Sequence, residues 1–278
     1  MSRHRLAPFL LLASMVASRL AAQAGPELAP RDSLYLVSAR DPRGLLTQME
    51  ARLARDSADH EAQWRAALAL VDLGREQSDS VKSARRDSLY TRAAELARRA
   101  IAGRPSDPEP HFVLAQALGR LTKSRGPRER LKLAAEIYEQ ASRTVALDST
   151  HHGGWHVLGE WHFEMMKVSG MNRFFARTFL GARIFDAANW DSAFRDLERA
   201  VNLAPWHVFH RLTLAAVYAD RGYVTAARQQ LREIATLTEL DAQDARYKRE
   251  ATMLLAKLAD RKDKAPAAAP ADAAGSAP

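Results

Sequence analysis

The sequence predicts an all-α fold, a right-handed superhelical stack of antiparallel helix pairs with long insertions inside the pairs. A sparse pattern recurs three times: Ala93, Ala97, Ala100, Pro105; Ala134, Tyr138, Ala141, Ala146; and Ala193, Leu197, Ala200, Pro205. The offsets 0, +4 and +7 put a narrow apolar ridge on one helix face, and +12 falls where the helix closes. A second stripe, with offsets 0, +3, +4 and +7, precedes each ridge: Trp64/Ala67/Leu68/Val71, His111/Leu114/Ala115/Leu118 and Trp155/Leu158/Gly159/His162. Ala and Leu dominate a chain that is 47% hydrophobic and 27% charged, which favours helix over sheet in a globular protein. A unit built several times over is the signature of a stacked array.

Residues 1–24 read as an export signal. Arg3, His4 and Arg5 precede the apolar run Leu6 to Val16, and Ala22-Gln23-Ala24 supplies a small-x-small cleavage pattern that leaves Gly25 first. The expected location is the periplasm or the secreted fraction, with anchoring by residues 6–18 as the lesser alternative. Lys and Arg number 41 against 33 acids, a net charge of +8. Cleavage would remove Arg3, Arg5 and Arg19 and no acid, so part of the basic character is targeting. The remaining arginines alternate with acids, and no nucleic-acid-binding pattern stands out. Absence of cysteine excludes disulfides, thiol nucleophiles and Cys-based metal sites.

Residues 25–57 are expected to be a Pro-containing linker (25–43) and a short helix from Leu45 to about Ala54, with Asp41-Pro42 as its start. The repeat domain covers 58–260, in units of about 61–105, 108–147, 152–205 and 207–240. The first pair is Glu61 to Leu73 with Ser88 to Ala102, the second Pro110 to Leu121 with Arg128 to Val145. The third begins at Trp155 and ends with Asp191 to Leu203. The fourth is the most compact: Leu214, Ala215 and Tyr218, then Gly222-Tyr223, then Ala227, Leu231 and Ile234. Gly222 suits a left-handed helix C-cap, and Ala215 and Ala227 let two axes approach closely. Asp241 is expected to cap a terminal helix (241–260) that closes the stack. Residues 261–278 are expected to be a disordered Ala/Pro-rich tail, since they carry no periodicity.

These offsets resemble the tetratricopeptide repeat, a unit of about 34 residues. In that family the leading position precedes the first alanine of the second helix by 16. Here the spacing is 29, 23 and 38 in the first three units and 16, from Arg211 to Ala227, in the fourth. The third unit, with His152-Gly-Gly-Trp-His-Val-Leu-Gly-Glu-Trp-His-Phe163, then Phe185, Ala193 and Arg199-Ala200, is similar to the regulator-of-microtubule-dynamics family and its bacterial relatives. The resemblance implies a tetratricopeptide-like domain over about 60–260. Some eukaryotic members are associated with microtubules, spindle poles or mitochondrial membranes. It brings no catalytic residue, and fold transfers better than function to an exported chain.

The insert between Gly170 and Asn189 alternates Phe174, Phe175, Phe179, Leu180, Ile184 and Phe185 with Arg173, Arg177 and Arg183. As an amphipathic helix it would pack back on the repeats, anchor a peptide or acyl chain through Phe175 and Phe179 with Arg173 and Arg177 on a carboxylate, or touch a membrane surface. His151, His152, His156 and His162 are concentrated in one stretch. His152 and His156 have metal-ligand spacing, but buried or groove histidines are the favoured reading, with His162 a packed ring that has a hydrogen-bond partner. The resemblance places groove-lining residues one, five and eight past each leading position: Phe112, Gln116 and Gly119 in the second unit, His156, Glu160 and Phe163 in the third. The first unit contributes Arg65, Ala69 and Asp72, the fourth Leu212 and Ala216.

The chain carries no GxSxG elbow, P-loop, HExxH or Gly-rich dinucleotide turn. The expected function is a non-enzymatic exported scaffold or adaptor for a protein or peptide partner, with no cofactor, metal or nucleic acid. The alternatives are a carrier with an apolar or lipid-like ligand under 173–185, recognisable by a closed cavity above about 300 Å³, and a structural component of an envelope assembly. Oligomeric state is left open.

Overall fold

Proline opens helices in this chain rather than breaking them, because a first-turn residue needs no N–H partner. Helices α1 (Pro30–Arg40), α2 (Pro42–Arg55), α5 (Pro108–Leu121) and α6 (Pro127–Leu147) all begin on one. Side-chain caps start most of the others. Asp59 caps α3 (His60–Arg75), Ser83 caps α4 (Ala84–Gly103), His151 caps α7 (His152–Lys167) and Asn189 caps α8 (Trp190–Leu203). Helices α9 (Val208–Arg221), α10 (Val224–Thr236) and α11 (Asp244–Lys257) complete the order, with short 3-10 turns at Thr122–Ser124 and Arg183–Ala187.

The computed structural model describes residues 28, 30–76, 83–168 and 183–264, with Arg183 and Ile184 described by backbone alone. The chain divides into two compact units, 1–34 and 35–278. The described part of the first is residue 28 and the opening of α1; the second holds the rest. Among the described residues there is no strand, and no helix is long and apolar enough to cross a membrane.

Among the described residues of the second unit four antiparallel pairs follow in order: α3/α4, α5/α6, α7/α8 and α9/α10. The leading helices α3, α5, α7 and α9 pack successively on one another as an inner layer, and α2 and α11 cover the two ends. The ridges do what their spacing requires. Ala93, Ala97, Ala100, Ala141, Ala193, Leu197 and Ala200 are completely buried, whereas Pro105 and Pro205 are exposed just beyond their helices and Ala146 is exposed in the last turn of α6. The leading stripes are buried too, apart from half-buried Trp155. Small residues set the interaxial distance: a Cβ on Gly159 would fall 2.9 Å from Leu197 N and 3.1 Å from Ala193 O, so α7 and α8 meet there at close range. Gly222 ends α9 with φ +86°, the left-handed conformation that a missing Cβ permits.

Three local features differ from expectation. The stretch 25–43 contains α1, because Pro30 and Pro42 occupy helix starts and Ser38, fully buried, ties the helix to Asp72. Part of the extra length in the first unit becomes helix rather than loop: α4 starts at Ala84, one turn before the expected Ser88, and runs to 20 residues. Asp241 does not cap the last helix, which starts at Asp244; it accepts from Gln243 N and pairs with Arg75 instead. Residues 261–264 lie along the Gly222 turn, where Lys264 N donates to Gly222 O.

Candidate functional site

The inner helices carry the groove-lining positions, and the chain itself covers part of that wall. Over the first two repeats the cover is α1. The Tyr35 ring stands edge-on to Phe112 at 5.5 Å and to His151 at 6.3 Å, and its hydroxyl donates to the Glu109 carboxylate. Ser38 Oγ donates to Asp72 Oδ2 at 2.7 Å. Phe112 is left 5% exposed. Beside it, Arg75 Nη1 donates to Asp72 at 2.8 Å, and Nη2 to Asp241 at 3.0 Å and Tyr247 Oη at 3.3 Å, joining α3 to the segment that leads into α11. Burial opposes the Arg75 charge, but Tyr247, Asp241 and Asp72 outweigh it and hold the guanidinium protonated. Burial raises the Asp72 carboxyl despite Arg75 and Ser38.

Between the third and fourth repeats lies a cluster of imidazoles. His152 Nδ1 sits 2.7 Å from His210 Nε2, so one of the pair carries the bridging proton. His210 stacks on His207 at 3.9 Å and on His156 at 4.5 Å; Phe209 covers His156 at 5.0 Å and reaches Tyr247 at 4.8 Å. Both nitrogens of His156, Nδ1 of His207 and His210, and Oε1 of nearby Gln116 have no hydrogen-bond partner among the described residues. Burial, with Arg120, His152 and Arg75 adding repulsion, pushes His156 down to about 3. His207 and His210 are driven the same way by burial and by neighbouring rings. These three rings are therefore neutral at physiological pH, and among the described residues no three ligating side chains converge to hold a metal. His162 is buried as its offset requires; its Nε2 lies 3.7 Å from Asp196, and burial followed by Arg195 lowers it to about 4.

The wall opens at the end of α7. Glu160 is exposed and Phe163 half-buried. Phe163 meets Trp190 at 6.0 Å, with Lys167 Nζ 4.6 Å from its ring, and Arg221 lies 4.0 Å over Trp190. One turn along α8, Phe194 stacks on Tyr218 at 5.5 Å and abuts Tyr223 at 5.5 Å. Among the described residues, five half-buried aromatic rings and two cations thus line the junction of the third and fourth repeats.

The structure therefore separates the groove-lining residues. Phe112 and His156 lie under the chain's own side chains, Gln116 is partly buried beside them, and Glu160 and Phe163 reach solvent at the open end. Arg173, Phe175, Arg177 and Phe179 lie outside the described residues, as does most of the space beneath 173–185. Phe185, at its edge, is 2% exposed and parallel to Trp161 at 6.3 Å. An open depression of about 700 Å³ lies elsewhere, between α5 and α6, lined by His111, Tyr138, Gln140 and Arg143 among others. Sequence reasoning missed Trp190, Phe194, Tyr223 and Arg221, and it missed His207 and His210. A rise in histidine and aromatic content after Pro205 was the available signal for the last two.

Among solved structures, a thermophilic TPR protein of Thermus thermophilus shares 17% identity with a TM-score of 0.51, covering 77% of this chain and 88% of that one. Its likeness shows the tetratricopeptide-type fold. MamA aligns at 12% identity and a TM-score of 0.44, covering 82% of this chain and 99% of its own. No curated protein matches the chain. The family model described as Regulator of microtubule dynamics protein 1-3 matches residues 28–259. With four helix pairs among the described residues of that span, the chain belongs to the regulator-of-microtubule-dynamics family, with a helical-repeat fold of tetratricopeptide type.

Proposed function

We propose that this chain is a non-enzymatic, exported adaptor that binds a protein or peptide partner at the junction of its third and fourth repeats. The observation that carries this reading is the strip Phe163, Trp190, Phe194, Tyr218 and Tyr223 with Lys167 and Arg221 over its edges. Half-buried aromatics give large contact area at small entropy cost, and aromatic and Arg side chains are the usual anchors of interfaces. Export rests on the leader pattern of residues 1–24. The Phe/Arg segment 173–179 follows α7 directly in sequence and is the second anchor candidate.

The test is affinity capture from the exported fraction with the full chain, with a Phe163→Ala/Trp190→Ala variant, and with Phe175→Ala/Arg177→Ala/Phe179→Ala. Each variant is first matched to the parent by circular dichroism. Loss of the same partner in the first variant is the expected result, and amino-terminal sequencing should begin at Gly25. A partner set unchanged in both folded variants overturns the reading.

A further inference from the structure

Helix α1 lies across the first two repeats and is attached to them largely through side-chain hydrogen bonds. Tyr35 and Ser38 stand one turn apart and point to the same wall. Tyr35 places its ring on Phe112 and His151 and its hydroxyl on Glu109 of the second repeat. Ser38 donates to Asp72 of the first repeat, and Arg40 Nε donates to Leu240 O at 3.2 Å. Its apolar contribution comes from buried Leu36 and the Tyr35 ring, while Leu34 and Val37 are exposed, Val37 at 52%. Asp41 alone links it to α2, so release needs rotation at a single residue. Each of these polar attachments is a hydroxyl or guanidinium donor meeting an oxygen acceptor, which another donor of the same kind can replace.

We propose that the wall of the first two repeats is a helix-accepting groove, that α1 is its resident occupant, and that it takes in exchange a partner helix presenting a tyrosine-type phenol and an aliphatic hydroxyl one turn apart. Phe112 and His151 form the aromatic seat, and Glu109 and Asp72 read the two hydroxyls across adjacent repeats. This deepens the adaptor reading and rests on it, but uses a second surface. In the closed state α1 competes from within the chain, and tethering gives it an effective concentration in the millimolar range. Outside helices then bind weakly until they displace it.

The probe is a fluorescein-labelled synthetic peptide with the sequence of residues 28–43, titrated by anisotropy into the full chain and into the full chain carrying Tyr35→Ala and Ser38→Ala. The peptide is expected to bind the variant at least about tenfold more tightly than the parent. A peptide with Tyr35→Phe should lose about tenfold or more, roughly the value of one hydrogen bond to a carboxylate. Should the variant fail to fold, hydrogen exchange on the unaltered chain reads the same exchange: saturating peptide should speed exchange of the α1 amides. Equal affinity for parent and folded variant, no loss with the Phe peptide, or unchanged α1 exchange overturns the proposal. Partner capture that depends on Phe163 and Trp190 alongside a failed peptide titration would overturn the groove and leave the adaptor reading standing.

Discussion

Acid should loosen the junction between the third and fourth repeats, and His156 measures by how much. Its ring is 5% exposed, neither nitrogen has a hydrogen-bond partner among the described residues, and its folded value of about 3 lies far below the ordinary 6.5. A base depressed in the folded state contributes stability that is fully present above 6.5 and is lost as pH falls toward 3, because the unfolded chain takes the proton first. At pH 5 the gap of about 1.5 units corresponds to about 2 kcal/mol from His156 alone, a large share of a typical net stability. His207 and His210 add in the same direction. Burial raises Asp72, Asp196 and Asp244, which oppose this trend, but these groups persist when His156 is replaced. The assay is urea unfolding followed by circular dichroism at pH 7.5 and pH 5.0, for the parent and for His156→Leu. At pH 7.5 the two should lie within about 1.5 kcal/mol, since the volumes are similar and no hydrogen bond is removed. Between the two pH values the parent should lose about 2 kcal/mol more than the variant, or about 4–8 °C in Tm. Equal losses would refute a neutral, buried His156.

Arg75→Ala should destabilise the chain by about 3–5 kcal/mol in urea, because it leaves Asp72 and Asp241 nearly buried without their cation. Unchanged stability would mean that those carboxylates hydrate freely. Gly159→Ala should cost about 1–3 kcal/mol, since its Cβ would press on the Leu197 and Ala193 backbone. Gly119→Ala, inside α5 with nothing within 4 Å, should instead stabilise by up to about 1 kcal/mol. Thermal melts of the two variants should therefore move in opposite directions.

What the sequence made legible was periodic. The ridge alanines and the leading stripes report a helix face, and a face is a local property, so Ala97, Leu118 and Leu197 could be placed in the core from spacing alone. What it concealed depends on pairs distant in the chain. The Tyr35–Glu109 bond spans 74 residues and the Arg75–Asp241 pair spans 166, and no spacing rule connects them. For that reason α1 looked like linker, and the groove rule, which assumes an open wall, treated Phe112 and Glu160 alike. His152 and His210, 58 residues apart, join one cluster through packing of α7 against α9. The interruptions were visible as altered spacing, and the start of α6 was legible beside Pro127, whereas α4 begins a turn before Ser88 in a stretch rich in Ser and charge that carries no apolar period.

The claim that the chain is an adaptor working from its open end is tested most directly by site-specific photo-crosslinking. A benzophenone side chain replaces Phe163 in one full-length protein and exposed Glu95, on the outer helix α4, in another. After irradiation in the exported fraction, a discrete protein adduct is expected from position 163 and none from position 95. Adducts from both positions alike, or from position 95 alone, would contradict it.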